Sequence, residues 1–272
     1  MSTRAEWIES HVALTKESLA AGDGCHPDEA KALGDYLDNK SNAQDTAKAI
    51  TAPILQEDDP PAELYRLMGL LCEALVDLKS DCDKLLDLLA TIQSLPPTSG
   101  INWSRLPSFG NMWSDMYRLY LHGSCDWEKA GESLPVEKRV ELYQHYEAVA
   151  TVEANMYIRG LGGVTADWGY RTLNVVCSGR PGLDVFLRAV HAWLETAGTK
   201  LWQDLRAEQV TSWSKPALGG RPGQQKNVQG TMIEHWDSWR SSLFQISNEK
   251  DFMSAETREL AAECHKLMRN DL

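Results

Sequence analysis

Along most of the chain, apolar residues return at steps of three and four. The longest such stretch is Leu183 to Val210, about 28 residues with no internal proline. Phe186, Val190, Trp193, Ala197, Leu201 and Leu205 mark one line, and Val185, Ala189, Ala192 and Trp202 widen it. That is the period of a helix burying one face. Arg188, Glu195, Lys200, Asp204 and Arg206 fall mostly outside the stripe. A helix of this length spans roughly 40 Å, enough to cross a domain, and the stretch is expected to be the central helix of the fold.

The same period recurs on both sides. A first helix is expected over Thr3 to Ala20, with Trp7, Ile8, Val12, Leu14 and Leu19 partly inward, ended by Gly22-Asp23-Gly24. Pro27 suits a first helical turn, and Asp28 and Glu29 suit the positive end of the helix that runs to about Leu37. A third helix over Ser41 to Leu55 must end or kink at Pro53. Asp59 is a plausible cap for the helix that follows Asp58-Asp59-Pro60-Pro61, with a bend at Ser80-Asp81 and a break at Pro96-Pro97. Further helices are expected over Trp103 to Leu121, Val136 to Gly160, Thr165 to Val176, Met232 to Ile246 and Ser254 to Met268, the last capped by Ser254. No sustained period-2 run of Val, Ile and Thr occurs. Gly, Pro and Gln make Ser214 to Gly230 the loosest segment, expected to be a mobile loop, with an ordered lid left open. The pattern predicts an all-α single domain of about ten to twelve helices, packed in antiparallel pairs around the central one. A helical N-terminal subdomain, 1–97, and a C-terminal part, 98–272, are possible within it.

Composition narrows the function classes. The chain has 272 residues, 43% apolar and 24% charged, ample for a core. Ten tryptophans against four phenylalanines is unusual. Each fully buried indole removes roughly 150–250 Å² from water, on the order of 4–6 kcal/mol before entropy. The rings either fill wide gaps between helices or line a ligand cavity. A formal charge of −12 disfavours nucleic acid and anionic membranes as partners, and the basic stretch Lys215 to Lys226 is too small for a groove. No C-x-x-C pair occurs among the six cysteines. The start, MSTRAEWIES, has no apolar signal core. A reducing, cytoplasmic setting is expected.

The second half resembles a family of fungal proteins described only by a domain of unknown function. Ala47-Lys48-Ala49-Ile50-Thr51-Ala52-Pro53-Ile54, then Asn155, Tyr157 and Leu161, carry part of the resemblance. Leu201-Trp202, the W-x-x-W of Trp236 and Trp239, Glu256-Thr257, Ala261-Ala262 and Met268 carry the rest. Thr151 departs from it, since the family often has Trp there. The similarity covers most of residues 40–270 and implies an all-helical fold and fungal origin, but no reaction.

No stretch carries a specific catalytic signature. Asp58-Asp59-x-x-x-Glu63 could be a magnesium-binding box, but no second box follows, and helix capping explains it. Gly160-x-Gly162-Gly163 follows a helix rather than the strand a phosphate loop needs, so a helix stop explains it better. Among the histidines, His122, His145, His191, His235 and His265 show no paired metal-ligand spacing, and Cys177, Ser178 and Cys264 lack a nucleophile's context. No metal or cofactor is expected. The more informative residues are polar groups on otherwise apolar faces beside tryptophans: Glu153, Asn155, Asp167, Trp168, Arg171, His191, Trp193 and Trp236. A buried Glu153 needs a partner, and Arg171 is a candidate. The set reads either as interhelical salt bridges and caps or as a ligand-orienting cluster. Two functions follow: small-molecule binding or enzymatic work in specialised metabolism through a Trp-lined interhelical cavity, or a non-catalytic interaction or scaffold module, with a homo-oligomer possible.

Overall fold

A computed structural model describes residues 3–118, 135–177, 182–216, 225–251 and 253–268. The expectations for Tyr120, Leu121, His122, Cys125, Trp127, Ser178 and the turn at 178–181 lie outside the described residues. So does the middle of the segment expected to be loose. The described chain is all-α, with twelve α-helices and one two-stranded sheet. Its contacts divide it into two compact units: Met1–Arg118 with Gly160–Gly163, and Leu119–Arg159 with Val164–Leu272. Among the described residues no helix is long and apolar enough to cross a membrane.

The first unit holds α1 (Arg4–Ser10), α2 (Lys16–Ala21), α3 (Pro27–Leu37), α4 (Ala43–Thr51), α5 (Pro60–Asp77), α6 (Cys82–Gln93) and α7 (Phe109–Tyr117). The single helix expected over Thr3 to Ala20 is two. Between them the backbone bonds instead to Cys25, whose N–H reaches His11 O at 2.8 Å while Ala13 N reaches Cys25 O at 3.0 Å. Thr15 then caps α2, accepting from Ser18 N at 3.0 Å. As a result Leu14, expected inward, is 89% exposed. Pro27 sits at the start of α3 as expected, and Pro53 follows the end of α4. Asp59 occupies the cap position of α5, but its side chain makes no capping bond, and the two prolines begin the helix.

Glu29 is the chemically unusual residue of this unit. Its side chain is fully buried, and its carboxylate accepts from His26 N at 2.9 Å. Arg66 lies in the same region, paired with Glu63 at 2.6 Å and with Glu57 at 4.0 Å, while His26 faces Glu57 at 3.0 Å. Burial lifts the Glu29 carboxyl to about 7; the His26 N–H bond and the Arg66 charge pull the other way, and Glu57 adds to the rise.

The second unit holds α8 (Val136–Arg159), α9 (Ala166–Asn174), α10 (Leu183–Gln203), a hairpin of β1 (Val210–Pro216) and β2 (Gln225–Thr231), α11 (Met232–Asn248) and α12 (Ala255–Leu267). Gly160, at φ 68°, ends α8 in the left-handed conformation that glycine adopts without strain. The helix α10 is central here: α8, α9 and α12 all pack on it. Its stripe is buried as the period required, with Phe186, Val190, Trp193 and Leu201 at 1% exposure or less. The helix stops at Gln203, well short of Val210, which begins β1.

The pair formed by α8 and α10 runs parallel rather than antiparallel. Arg139 pairs with Asp184 at 2.7 Å, Tyr146 meets Phe186 at 5.9 Å, Trp193 donates to Glu153, and the Tyr157 hydroxyl donates to Asp204 at 2.5 Å. The contacts advance together along both helices, because α9 lies between them in the chain and allows the second to restart at the same end. A hairpin, paired from Val210↔Thr231 through Trp213↔Val228 to Pro216↔Gln225, takes in both ends of the Ser214 to Gly230 segment expected to be a mobile loop. Thr231 ends β2 and caps α11, accepting from Glu234 N at 3.4 Å while Glu234 accepts from Thr231 N at 2.7 Å.

Two measurements follow from these contacts. Glu29 binds its proton more tightly folded than unfolded, where its ordinary value is 4.5. Its contribution is therefore complete below about pH 4.5 and lost as pH rises through about 7, on the order of 3 kcal/mol in all. Denaturant titrations at pH 5 and pH 8 should show Glu29→Gln gaining about that much relative to wild type at the higher pH. An equal gap at both pH values would contradict the assignment. In α9, a Cβ at Gly169 would lie 2.8 Å from Leu201 and 2.9 Å from Trp193. Gly169→Ala should cost about 1–3 kcal/mol by overpacking, read as a lower unfolding midpoint; an unchanged midpoint would mean that α9 is not pressed against α10.

Candidate functional site

The residues singled out from sequence fall into two groups. The first lies along α8 and α10. Glu153 is fully buried, and its carboxylate accepts from the Trp193 indole at 3.1 Å. A buried carboxyl group needs such partners, so this bond ties the two helices together. Asn155 spends its amide inside α8, donating to Thr151 O at 2.9 Å. His191 is half-buried and faces Glu195 at 3.8 Å and Glu263, on α12, at 3.6 Å. The partner suggested for Glu153 is engaged elsewhere: Arg171 pairs with Asp167, one turn earlier on α9, at 2.6 Å, with both side chains about half exposed. The i, i+4 spacing favours that local pair.

The second group lies where α9, α10, β1 and α11 meet, and it contains an aromatic cluster. Trp239 sits among Tyr170 at 6.0 Å, Trp213 at 5.8 Å, His235 at 6.2 Å and Trp236 at 6.4 Å. Trp202 meets Trp236 at 5.4 Å. The Arg171 guanidinium lies over the Trp213 ring at 5.8 Å, within range for a cation–π contact. Arg171 and Trp236 thus join one constellation, whereas Asp167 only pairs with Arg171 and Trp168 is half-buried on the same helix. Sequence reading did not assign Tyr170, Trp202, Trp213, His235 or Trp239 to a site. The signal for two of them was present in His235-Trp236-x-x-Trp239; Trp213 lies just before the segment read as loose, where no period marks it.

Most polar atoms of the cluster are satisfied. Trp239 Nε1 donates to Asn174 Oδ1 at 3.0 Å, and the Tyr170 hydroxyl to Leu201 O at 2.9 Å. Burial, with Asp204 and Asp167 adding, pushes the Tyr170 phenol well up, so it stays a donor. His235 Nε2 faces Thr211 O at 3.3 Å. Two atoms differ: the indole N–H groups of Trp213 and Trp236 are buried and meet no acceptor among the described residues. Each such orphan donor costs roughly 1–3 kcal/mol, and a native structure holds few of them.

Other sites carry less chemistry. A cleft of about 430 Å³ in the first unit is lined by Asp28, Lys31, Asp35, Ser41, Thr46 and Gln56, among others. Lys31 is already held by Asp35 at 2.8 Å, and Thr46 by Ser41 at 3.0 Å. Burial pushes the Cys264 thiol well up, which makes it a poor nucleophile. Glu63, of the acidic stretch at 58–63, is committed to Arg66. The glycine run at 160–163 is held by Gln93, which donates to Gly160 O at 3.1 Å and accepts from Gly162 N at 3.3 Å.

No curated protein and no solved structure matches the chain. One family model, described as a protein of unknown function (DUF3632), matches residues 69–243, more than half of the sequence. The matched span contains every member of the aromatic cluster, from Tyr170 to Trp239. The chain belongs to this family of proteins of unknown function, DUF3632.

Proposed function

We propose that the protein binds a small molecule among the indole rings where α9, α10, β1 and α11 meet. The observation that carries this reading is the pair of buried, unused N–H donors on Trp213 and Trp236. A ligand acceptor would offset a cost that the protein bears alone, and the surrounding rings supply flat apolar walls. Helices hold five of the six rings; only Trp213 rides on the hairpin, whose other described side chains are exposed or half-buried. A two-stranded hairpin is marginally stable by itself. Withdrawing Trp213 therefore opens the cluster at its weakest wall.

A second reading, a protein-binding module, draws on Val136 and Val140. They lie one turn apart on α8 and are 73% and 41% exposed. Native mass spectrometry of the protein purified from its own source separates the two. The expected result is a non-covalent adduct of small-molecule mass that is absent from Trp236→Ala purified in the same way. The bare chain in both cases, or a protein partner retained by both, would overturn the small-molecule reading.

A further inference from the structure

We infer that the ligand is a flat, conjugated molecule whose carbonyl or carboxylate oxygens accept the indole N–H groups of Trp213 and Trp236. This rests on the cluster being a binding site. The polarity follows from what is already used. Three acceptors of the cluster are taken: Asn174 Oδ1 by Trp239, Leu201 O by Tyr170, and Thr211 O by His235. The two atoms left over are both donors, and an indole N–H cannot accept. A ligand rich in N–H groups gains nothing from them; one with acceptor oxygens satisfies both.

The shape follows from the walls. Trp213 stands edge-on to Trp239 at an interplanar angle of 80°, and Trp236 stands at 63° to it, with centroids 5.8 and 6.4 Å away. A planar ring between two faces needs roughly 7–8 Å, two contacts of about 3.5–4 Å. Because these rings stand edge-on rather than face to face, Trp213 must turn as well as move aside to present a face, which a swing on its strand provides. A thick, saturated molecule would require moving α11 itself. Arg171, whose guanidinium lies over the Trp213 ring, adds positive charge beside it. It favours a carboxylate over a neutral carbonyl there, although Asp167 partly neutralises it.

Three probes with one ring system test this on the full chain labelled with ¹⁵N at the tryptophan indoles. 2-Naphthoate carries a carboxylate, 2-acetylnaphthalene a neutral carbonyl, and naphthalene no acceptor. An acceptor-bearing probe should move the Trp213 and Trp236 indole protons downfield and bind about tenfold or more tighter than naphthalene, as one or two new hydrogen bonds allow. Trp213→Phe and Trp236→Phe should each lose most of that advantage while keeping naphthalene affinity. Naphthoate binding that weakens with salt and in Arg171→Gln would name the carboxylate; tighter, salt-insensitive acetylnaphthalene binding would name the carbonyl. Equal binding of all three probes would overturn the inference and leave the binding site standing. No movement of any cluster indole with any probe would overturn the site as well. The wild-type shifts decide between these outcomes even if a variant fails to fold.

Discussion

An indole ring cannot be buried without its N–H, and the architecture of the second unit turns on where those N–H groups go. Among the nine described tryptophans six are buried and none is exposed. Trp193 donates to Glu153, which brings a carboxylate into the interior and fixes α8 against α10. Trp239 donates to Asn174, which fixes α11 against the end of α9. Once those two bonds are set, the parallel run of α8 and α10, the close approach at Gly169 and the position of α11 follow from packing. Losing such a ring would typically cost 3–5 kcal/mol, a large part of the stability of an ordinary domain.

Trp213 and Trp236 break that rule, and here stability and function separate. Burying their rings supports the fold, while leaving their N–H groups without partners works against it. Elsewhere in the same cluster the protein supplies a side-chain or backbone acceptor within 3.3 Å. The two exceptions both pack against Trp239, inside the span that matches the family. Local departures from polar satisfaction are where binding chemistry is to be sought.

The helices were legible because their period is long and repeated. Phe186, Val190, Trp193 and Leu201 fix α10 without reference to any neighbour, and Val149, Val152 and Met156 do the same for α8. Contacts between elements were not legible. Sequence proximity suggested Arg171 for Glu153, but a four-residue spacing gave Arg171 to Asp167, and the partner of Glu153 came from another helix. The hairpin was missed for a different reason: among the described side chains of β1 only Trp213 is buried, and the residues flanking it are serines, so no alternation builds up. The break between α1 and α2 depends on Cys25, a residue beyond the helix itself. For the site, Arg171 and Trp236 were within reach of sequence, whereas convergence on Trp239 required four elements to meet.

The most direct test is the ¹H–¹⁵N spectrum of the indole groups in the free protein, with hydrogen exchange followed at each. Trp193 and Trp239 should appear downfield and exchange slowly, as buried, hydrogen-bonded donors do. Trp213 and Trp236 should lie clearly upfield of both. Four downfield, equally protected indole protons would mean that every buried ring of the second unit has found its acceptor, and the account of an unfilled pair of donors would be contradicted.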